Sequence, residues 1–167
     1  MLYHGQLENY ARKRFKKDTI YEPLFKEFKP TQQLENYLSG HFMQPRPVRP
    51  RSLILVGRSR LGKTEWARSL RPHVYIQGQY SLDAFNVKNY QYIVWDDVPW
   101  DRIPAKKQFL GCQRHPFFLS DKYRGKQSIA LNGAISIVCC NDDPLQLESD
   151  SWYQHNTITV TVLNKLY

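Results

Sequence analysis

The stretch Gly57-Arg58-Ser59-Arg60-Leu61-Gly62-Lys63-Thr64 has the residue types and spacing of a phosphate-binding P-loop. Glycine at both ends lets the backbone turn its N–H groups inward around a phosphate, where a Cβ would obstruct the approach. Lys63 is placed to reach β- and γ-phosphates and Thr64 to offer its hydroxyl to Mg²⁺, while a helix start would add its positive dipole end. The implied ligand is a nucleoside triphosphate. A glycine-containing surface turn is the alternative reading of the same residues.

A second chemical feature lies downstream, where the apolar run Tyr92-Ile93-Val94-Trp95 ends in Asp96-Asp97. A buried strand ending in two acids suits triphosphate hydrolysis: one carboxylate, Asp96, joins the Mg²⁺ shell and the other, Asp97, faces the attacking water. A strand-ending Asp-Asp turn is the plain alternative. Asn141 ends another apolar run, Ala134-Ile135-Ser136-Ile137-Val138-Cys139-Cys140, and its amide could orient water or the γ-phosphate; as part of Asn141-Asp142-Asp143-Pro144 it also reads as a turn residue. Between these runs, Lys122-Tyr123-Arg124-Gly125-Lys126 puts three cations and a ring at the tip of a hairpin. Cations meet phosphates and a ring stacks on a base, as single-stranded nucleic acid requires, or the tip is simply polar.

These groups need a scaffold, and the sequence supplies one. Leu53–Val56, Val74–Ile76, Tyr90–Val98, Ala134–Cys140 and Thr157–Val162 read as five strands, with helical residues from Glu65 to Leu70. Phe117-Phe118-Leu119 and Ile129-Ala130-Leu131 read as the two arms of the hairpin. Upstream, Thr31 is placed to cap a short helix to Leu38 that Gly40 ends, and the proline-arginine run 44–51 marks a boundary, as a phosphate-binding stretch or a stiff linker. Residues 6–17 read as a basic helix with Arg12, Lys13, Arg14, Lys16 and Lys17: a nucleic-acid contact, a nuclear-import signal or a solvated face. Tyr10 and Lys13 have the Tyr-x-x-Lys spacing of a nickase nucleophile, but that chemistry needs a metal-binding His pair, and the five His residues include no His-x-His.

Composition narrows the classes. With 167 residues, 41 % apolar and 14 % aromatic, the chain suits one globular domain with a short appendage. A net charge of +9 favours a polyanionic partner, nucleic acid ahead of membrane, over mere solubilisation, since no long basic amphipathic helix appears. Cys112, Cys139 and Cys140 lack zinc-site or disulfide spacing and read as small core residues of a reducing, intracellular compartment; no signal core or membrane-length apolar run is present.

In order along the chain, the 57–70 stretch, Asp96-Asp97-Val98-Pro99, Phe109-Leu110-Gly111-Cys112-Gln113-Arg114, Lys122-Tyr123-Arg124-Gly125-Lys126 and Cys140-Asn141 resemble one family closely. It is the superfamily 3 helicase domain of the replication-associated (Rep) proteins of geminiviruses and related circular single-stranded DNA viruses, with mastreviruses nearest. The match runs from about Pro23 to Asn141. The resemblance implies an ATP- and Mg²⁺-dependent 3′-to-5′ helicase in the host nucleus, assembled as a homo-oligomeric ring, a hexamer, or with full-length Rep, and threading single-stranded DNA. It assigns the phosphate loop to Gly57, Gly62, Lys63 and Thr64, the carboxylates to Asp96 and Asp97, the sensor to Asn141 and the DNA-contacting hairpin to Lys122 and Lys126.

Three departures accompany it. Arg124 is an extra residue in what is usually Lys-Tyr-Gly-Lys, no arginine follows it to serve as a ring arginine finger, and the family's nicking domain is not among these residues. The expected architecture is a P-loop α/β domain of AAA+-like build over residues 48–167, with a central, mostly parallel five-stranded sheet and a protruding DNA-binding hairpin. A helical, basic arm and linker over residues 1–47 precede it, a possible oligomerisation segment. The expected activity is ATP-driven unwinding in rolling-circle replication, with a non-catalytic ATP- and DNA-binding assembly module as the rival.

Overall fold

The computed structural model describes residues 21–25, 27–123 and 125–167. The basic helix expected over 6–17 and the residue Arg124 lie outside them.

Five short apolar strands build the centre: β1 (Ser52–Val56), β2 (His73–Gln77), β3 (Tyr92–Asp96), β6 (Ile135–Cys140) and β7 (Thr157–Thr161). They pair in the order β2-β3-β6-β1-β7, every neighbouring pair parallel. β1 and β6 are apolar almost throughout because a parallel sheet is covered on both faces. The period of two divides β3 between them: Tyr92 and Val94 join the cluster of Leu34, Tyr37, Phe42, Trp66 and Ala67, whereas Ile93 and Trp95 join that of Phe109 and Leu110. The first layer comes from α1 (Gln32–Tyr37) and α2 (Lys63–Arg68), the second from α3 (Lys106–Leu110). A further helix, α4 (Trp152–Asn156), leads into β7.

Thr31 caps α1 as expected, its hydroxyl accepting from the Leu34 N–H at 3.3 Å. Gly40 does not end the helical path. The chain widens into a π-helical turn, Leu38–Phe42, which closes with Met43 N donating to the Leu38 carbonyl at 2.7 Å. This turn carries Phe42 into the core, edge-on to Tyr92. Residues from the stretch before the proline-arginine run therefore share a core with the sheet. Helix α2 starts two residues earlier than expected and stops at Arg68, where the Ser69 hydroxyl takes the Trp66 carbonyl.

The second sheet is antiparallel and two-stranded, β4 (Phe117–Leu119) with β5 (Gln127–Ile129). Its register pairs Phe117 with Ile129 and Leu119 with Gln127, so the second arm sits two residues before the expected 129–131. Ile129 and Leu131 are both buried, and that alternation continues past the paired segment, which is why apolarity alone misplaced the arm.

Candidate functional site

The loops that follow β1, β3 and β6 emerge at one edge of the sheet, the carboxyl ends of parallel strands where α/β folds place ligands. There they border a cleft of about 480 Å³. Ser59, Arg60, Gly62, Lys63, Thr64, Asp96, Asp97 and Asn141 all line it, together with Cys139 and Cys140. Three sequence-distant motifs thus converge.

Not every residue of the 57–64 loop faces the cleft. Leu61 is buried in the core, and Arg58 is exposed but turns its carbonyl inward. Gly57 is required by packing: a Cβ there would lie 2.7 Å from the Val162 carbonyl oxygen. Gly62 is required by conformation, with φ +84°, and by the Tyr167 ring, which would be 2.8 Å from its Cβ. The protein's own close contacts thus demand both glycines, in addition to the phosphate approach read from the sequence.

Lys63 is only 7 % exposed. Its Nζ donates to the Gly57 and Arg58 carbonyls at 2.6 and 2.7 Å, folding the ammonium against its own loop. Burial lowers its pKa below the ordinary lysine value, although Asp96 pulls the other way. Such an ammonium is short of compensating negative charge.

Asp96 ends β3 and is clamped from two sides. Thr64 Oγ1 donates to Oδ1 at 2.9 Å and the Tyr75 hydroxyl to Oδ2 at 2.7 Å. Tyr75 comes from β2, diagonal to Asp96 on the same sheet face given the Tyr75–Val94 and Gln77–Asp96 register. Burial, then Asp96 itself, pushes the Tyr75 phenol well above its usual pKa, so it stays a donor. Asp97 follows in a left-handed turn, φ 53°, and is exposed. Aspartate tolerates that conformation. Asn141, also exposed, stands just past β6.

Several residues around the cleft carry no chemical role in the reading of the sequence. Arg68 is sandwiched between the Tyr21 and Tyr75 rings at 3.5 and 3.7 Å. Glu65 accepts from the Tyr21 hydroxyl at 2.5 Å and from Leu24 N at 3.0 Å, and Tyr21's pKa is pushed up to about 12, chiefly by burial. Phe25 and Tyr167 also line the cleft. No local pattern signals the contacts of Tyr21 and Leu24, because they join residues more than 40 apart in the chain. Burial raises the pKa of all three thiols above the ordinary cysteine value, that of Cys140 to about 12.

The hairpin residues stand away from the cleft lining. Tyr123 is 83 % exposed, with Lys122 Nζ 5.6 Å from its ring centroid, and Lys126 is exposed. Asp121 ties the turn down, accepting from Tyr123 N at 2.9 Å and from Leu82 N at 3.0 Å.

A five-stranded parallel sheet carrying a glycine loop between its first strand and a following helix defines an α/β protein of P-loop-like build. No family model matches the chain. Curated proteins do: the replication-associated protein of tobacco yellow dwarf virus (strain Australia) is 35 % identical over 167 residues, spanning 92 % of this chain and 48 % of that protein. Those of maize streak virus genotype C (isolate Set) and bean yellow dwarf virus are 38 % and 36 % identical, over 58 % and 67 % of this chain and 27 % and 34 % of theirs. The chain is Rep-like, related to the replication-associated proteins of geminiviruses. It spans about half the length, or less, of these relatives.

Proposed function

We propose that the cleft binds ATP with Mg²⁺ and hydrolyses it, and that the chain is the DNA-unwinding part of a viral replication-associated protein working in rolling-circle replication in the host nucleus. One observation carries this reading: Lys63, Thr64, Asp96, Asp97 and Asn141, from three separate segments of the chain, line a single cleft. The relatives' printed name, replication-associated protein, supports the wider role.

The residues present suit Mg²⁺. Thr64 Oγ1 and Asp96 Oδ1 are hard oxygen donors already 2.9 Å apart. Magnesium is commonly held by one or two carboxylates plus substrate phosphates and water, and so needs no three-residue cluster, of which there is none among the described residues. Bound there, the ion neutralises charge on the phosphates.

The chain's own groups do the rest. The Lys63 ammonium exchanges its two carbonyl partners for phosphate oxygens, a charge-assisted bond stronger than either neutral one. Tyr75 holds Asp96 in the orientation that keeps Oδ1 beside Thr64. Asp97, free of that clamp and facing solvent, orients the attacking water and accepts its proton. The Asn141 amide positions the water or the γ-phosphate.

Single-stranded DNA is the proposed second substrate, gripped by Lys122, Tyr123, Arg124 and Lys126, with rings of this chain or full-length Rep as the assembly. A second reading has support of its own. Among the described residues Arg60 is the one arginine lining the cleft, and none follows Arg124 in the given sequence, which favours a module that binds ATP and joins a ring without turnover. An ATPase assay with and without single-stranded DNA at several protein concentrations separates them. Turnover that rises with both DNA and concentration supports the helicase; bound ATP without turnover supports the module.

A further inference from the structure

We infer that Phe25 and Tyr167 form a nucleobase subsite that receives its ligand by stacking. This rests on the reading of the cleft as a triphosphate site. The two rings stack at a 3.8 Å centroid separation with planes 4° apart, and Phe28 meets Phe25 edge-on at 6.2 Å. They are the aromatic residues in the lining of the cleft that holds Lys63, Thr64 and Asp96. Tyr167 remains 36 % exposed.

The pair is built onto the phosphate loop. Leu166 N donates to the Leu61 carbonyl at 2.9 Å, and Lys29 N donates to the Leu166 carbonyl at 2.5 Å. On the other side of Gly62, Leu24 N donates to Glu65 Oε2 at 3.0 Å. Each ring therefore follows a residue hydrogen-bonded to the phosphate loop or to the helix that it opens. The Tyr167 ring itself lies against Gly62, where an added Cβ would meet it at 2.8 Å. A triphosphate seated at Lys63 has its nucleoside beside this two-ring surface, and the base extends the stack by one layer.

Stacking reads the π-face that every base possesses, so it confers affinity with little discrimination. Glu65, which also lines the cleft, is already engaged by Leu24 N and the Tyr21 hydroxyl. The ligand class is thus a purine or pyrimidine nucleoside triphosphate, with purines ahead because their ring system covers more of the platform.

The test titrates ATP, GTP, UTP and inorganic tripolyphosphate, each with Mg²⁺, into the full chain and its Phe25→Leu, Tyr167→Leu, Tyr167→Phe and Lys63→Ala variants. The parent should bind ATP about tenfold or more tighter than tripolyphosphate, and each Leu variant should lose about five- to tenfold for ATP while holding tripolyphosphate unchanged. Tyr167→Phe, which keeps the ring, should match the parent, and ATP, GTP and UTP should fall within about tenfold of one another. Leu variants that leave ATP affinity intact, or weaken ATP and tripolyphosphate alike, overturn the subsite; so does a preference for one base above about a hundredfold. Lys63→Ala reports separately: loss of about ten- to hundredfold for both ligands supports the phosphate site, and no loss for either overturns the triphosphate reading itself.

Discussion

Thr64 Oγ1 and Asp96 Oδ1 are joined by a 2.9 Å hydrogen bond between the first turn of α2 and the last residue of β3, two elements 32 residues apart. Asp97, the next residue, is exposed and has a left-handed backbone, and no hydrogen bond from Thr64 or Tyr75 reaches it. The two carboxylates therefore have separable effects. Asp97→Asn should keep Mg²⁺-ATP bound and lower turnover by about a hundredfold or more, while Asp96→Asn should raise the Mg²⁺ concentration needed for binding. Single-turnover hydrolysis and Mg²⁺ titrations check this; parent-like rates in both variants would place the chemistry elsewhere.

Tyr75 acts on the site only through Asp96. Tyr75→Phe keeps the ring that packs on Arg68 and removes the hydroxyl that orients the carboxylate. The half-saturating Mg²⁺ concentration should rise by about tenfold, with little change in Mg²⁺-independent tripolyphosphate binding. Because the folded phenol's pKa is raised, its hydrogen bond is fully present below the ordinary tyrosine value and is lost only as pH climbs through the higher folded one. The parent's Mg²⁺ requirement should accordingly owe no change to Tyr75 up to about pH 9.

At the hairpin, charge and ring predict different signatures. Replacing Lys122 and Lys126 by Ala should weaken single-stranded DNA binding regardless of sequence and reduce the salt slope by about 1.4, or roughly 0.7 per lost phosphate contact. Tyr123→Ala should cost about 1–3 kcal/mol with the slope nearly unchanged, since stacking releases no counterions. Fluorescence anisotropy at four or five salt concentrations measures both quantities. An unaltered slope and affinity in the double Lys variant would make the tip merely polar.

Glycine substitutions test the architecture independently of any ligand. Gly57→Ala forces a Cβ to 2.7 Å from the Val162 carbonyl and should destabilise the fold by about 1–3 kcal/mol. Gly40, in the π-helical turn, has open space around its Cβ position, and Gly40→Ala should leave stability unchanged or raise it by about 0.5–1 kcal/mol. Thermal melts of the two variants should move Tm in opposite directions or leave Gly40→Ala still; a Gly57→Ala chain as stable as the parent would show that β1 and the segment after β7 can part.

The sheet was legible because parallel strands are buried on both faces and show as short runs such as Leu53–Val56 and Ile135–Cys140, and because polar residues at their ends marked where chemistry collects. Asp96, Asp97 and Asn141 stand out in the sequence for that reason, and all three line the cleft. Tyr75 does not: its hydroxyl reaches Asp96 only through the pairing of β2 with β3, and an isolated Val-Tyr-Ile run looks the same with or without it. Tyr21, Phe25 and Tyr167 escaped for the same cause, their partners being supplied by tertiary contacts. Gly40 misled because a glycine usually marks a helix stop, whereas here a wider turn absorbs it and the burial of Phe42 favours continuing.

The all-parallel strand order also governs when the cleft comes into being during synthesis. β1 has no sequence-adjacent neighbour in the sheet: its partners are β6 and β7, and the hydrogen bond from Ser136 N to Ser52 Oγ spans 84 residues. A ribosome releasing the chain exposes the glycine loop long before the strands that anchor it. Gly57 N waits for the Cys140 carbonyl, and Val56 waits for Val162. Loop closure over such separations slows folding and leaves apolar β1 unpaired in the interval. A nascent chain halted before residue 135 should therefore be protease-sensitive throughout the 52–64 stretch, with protection arriving only once β7 has emerged.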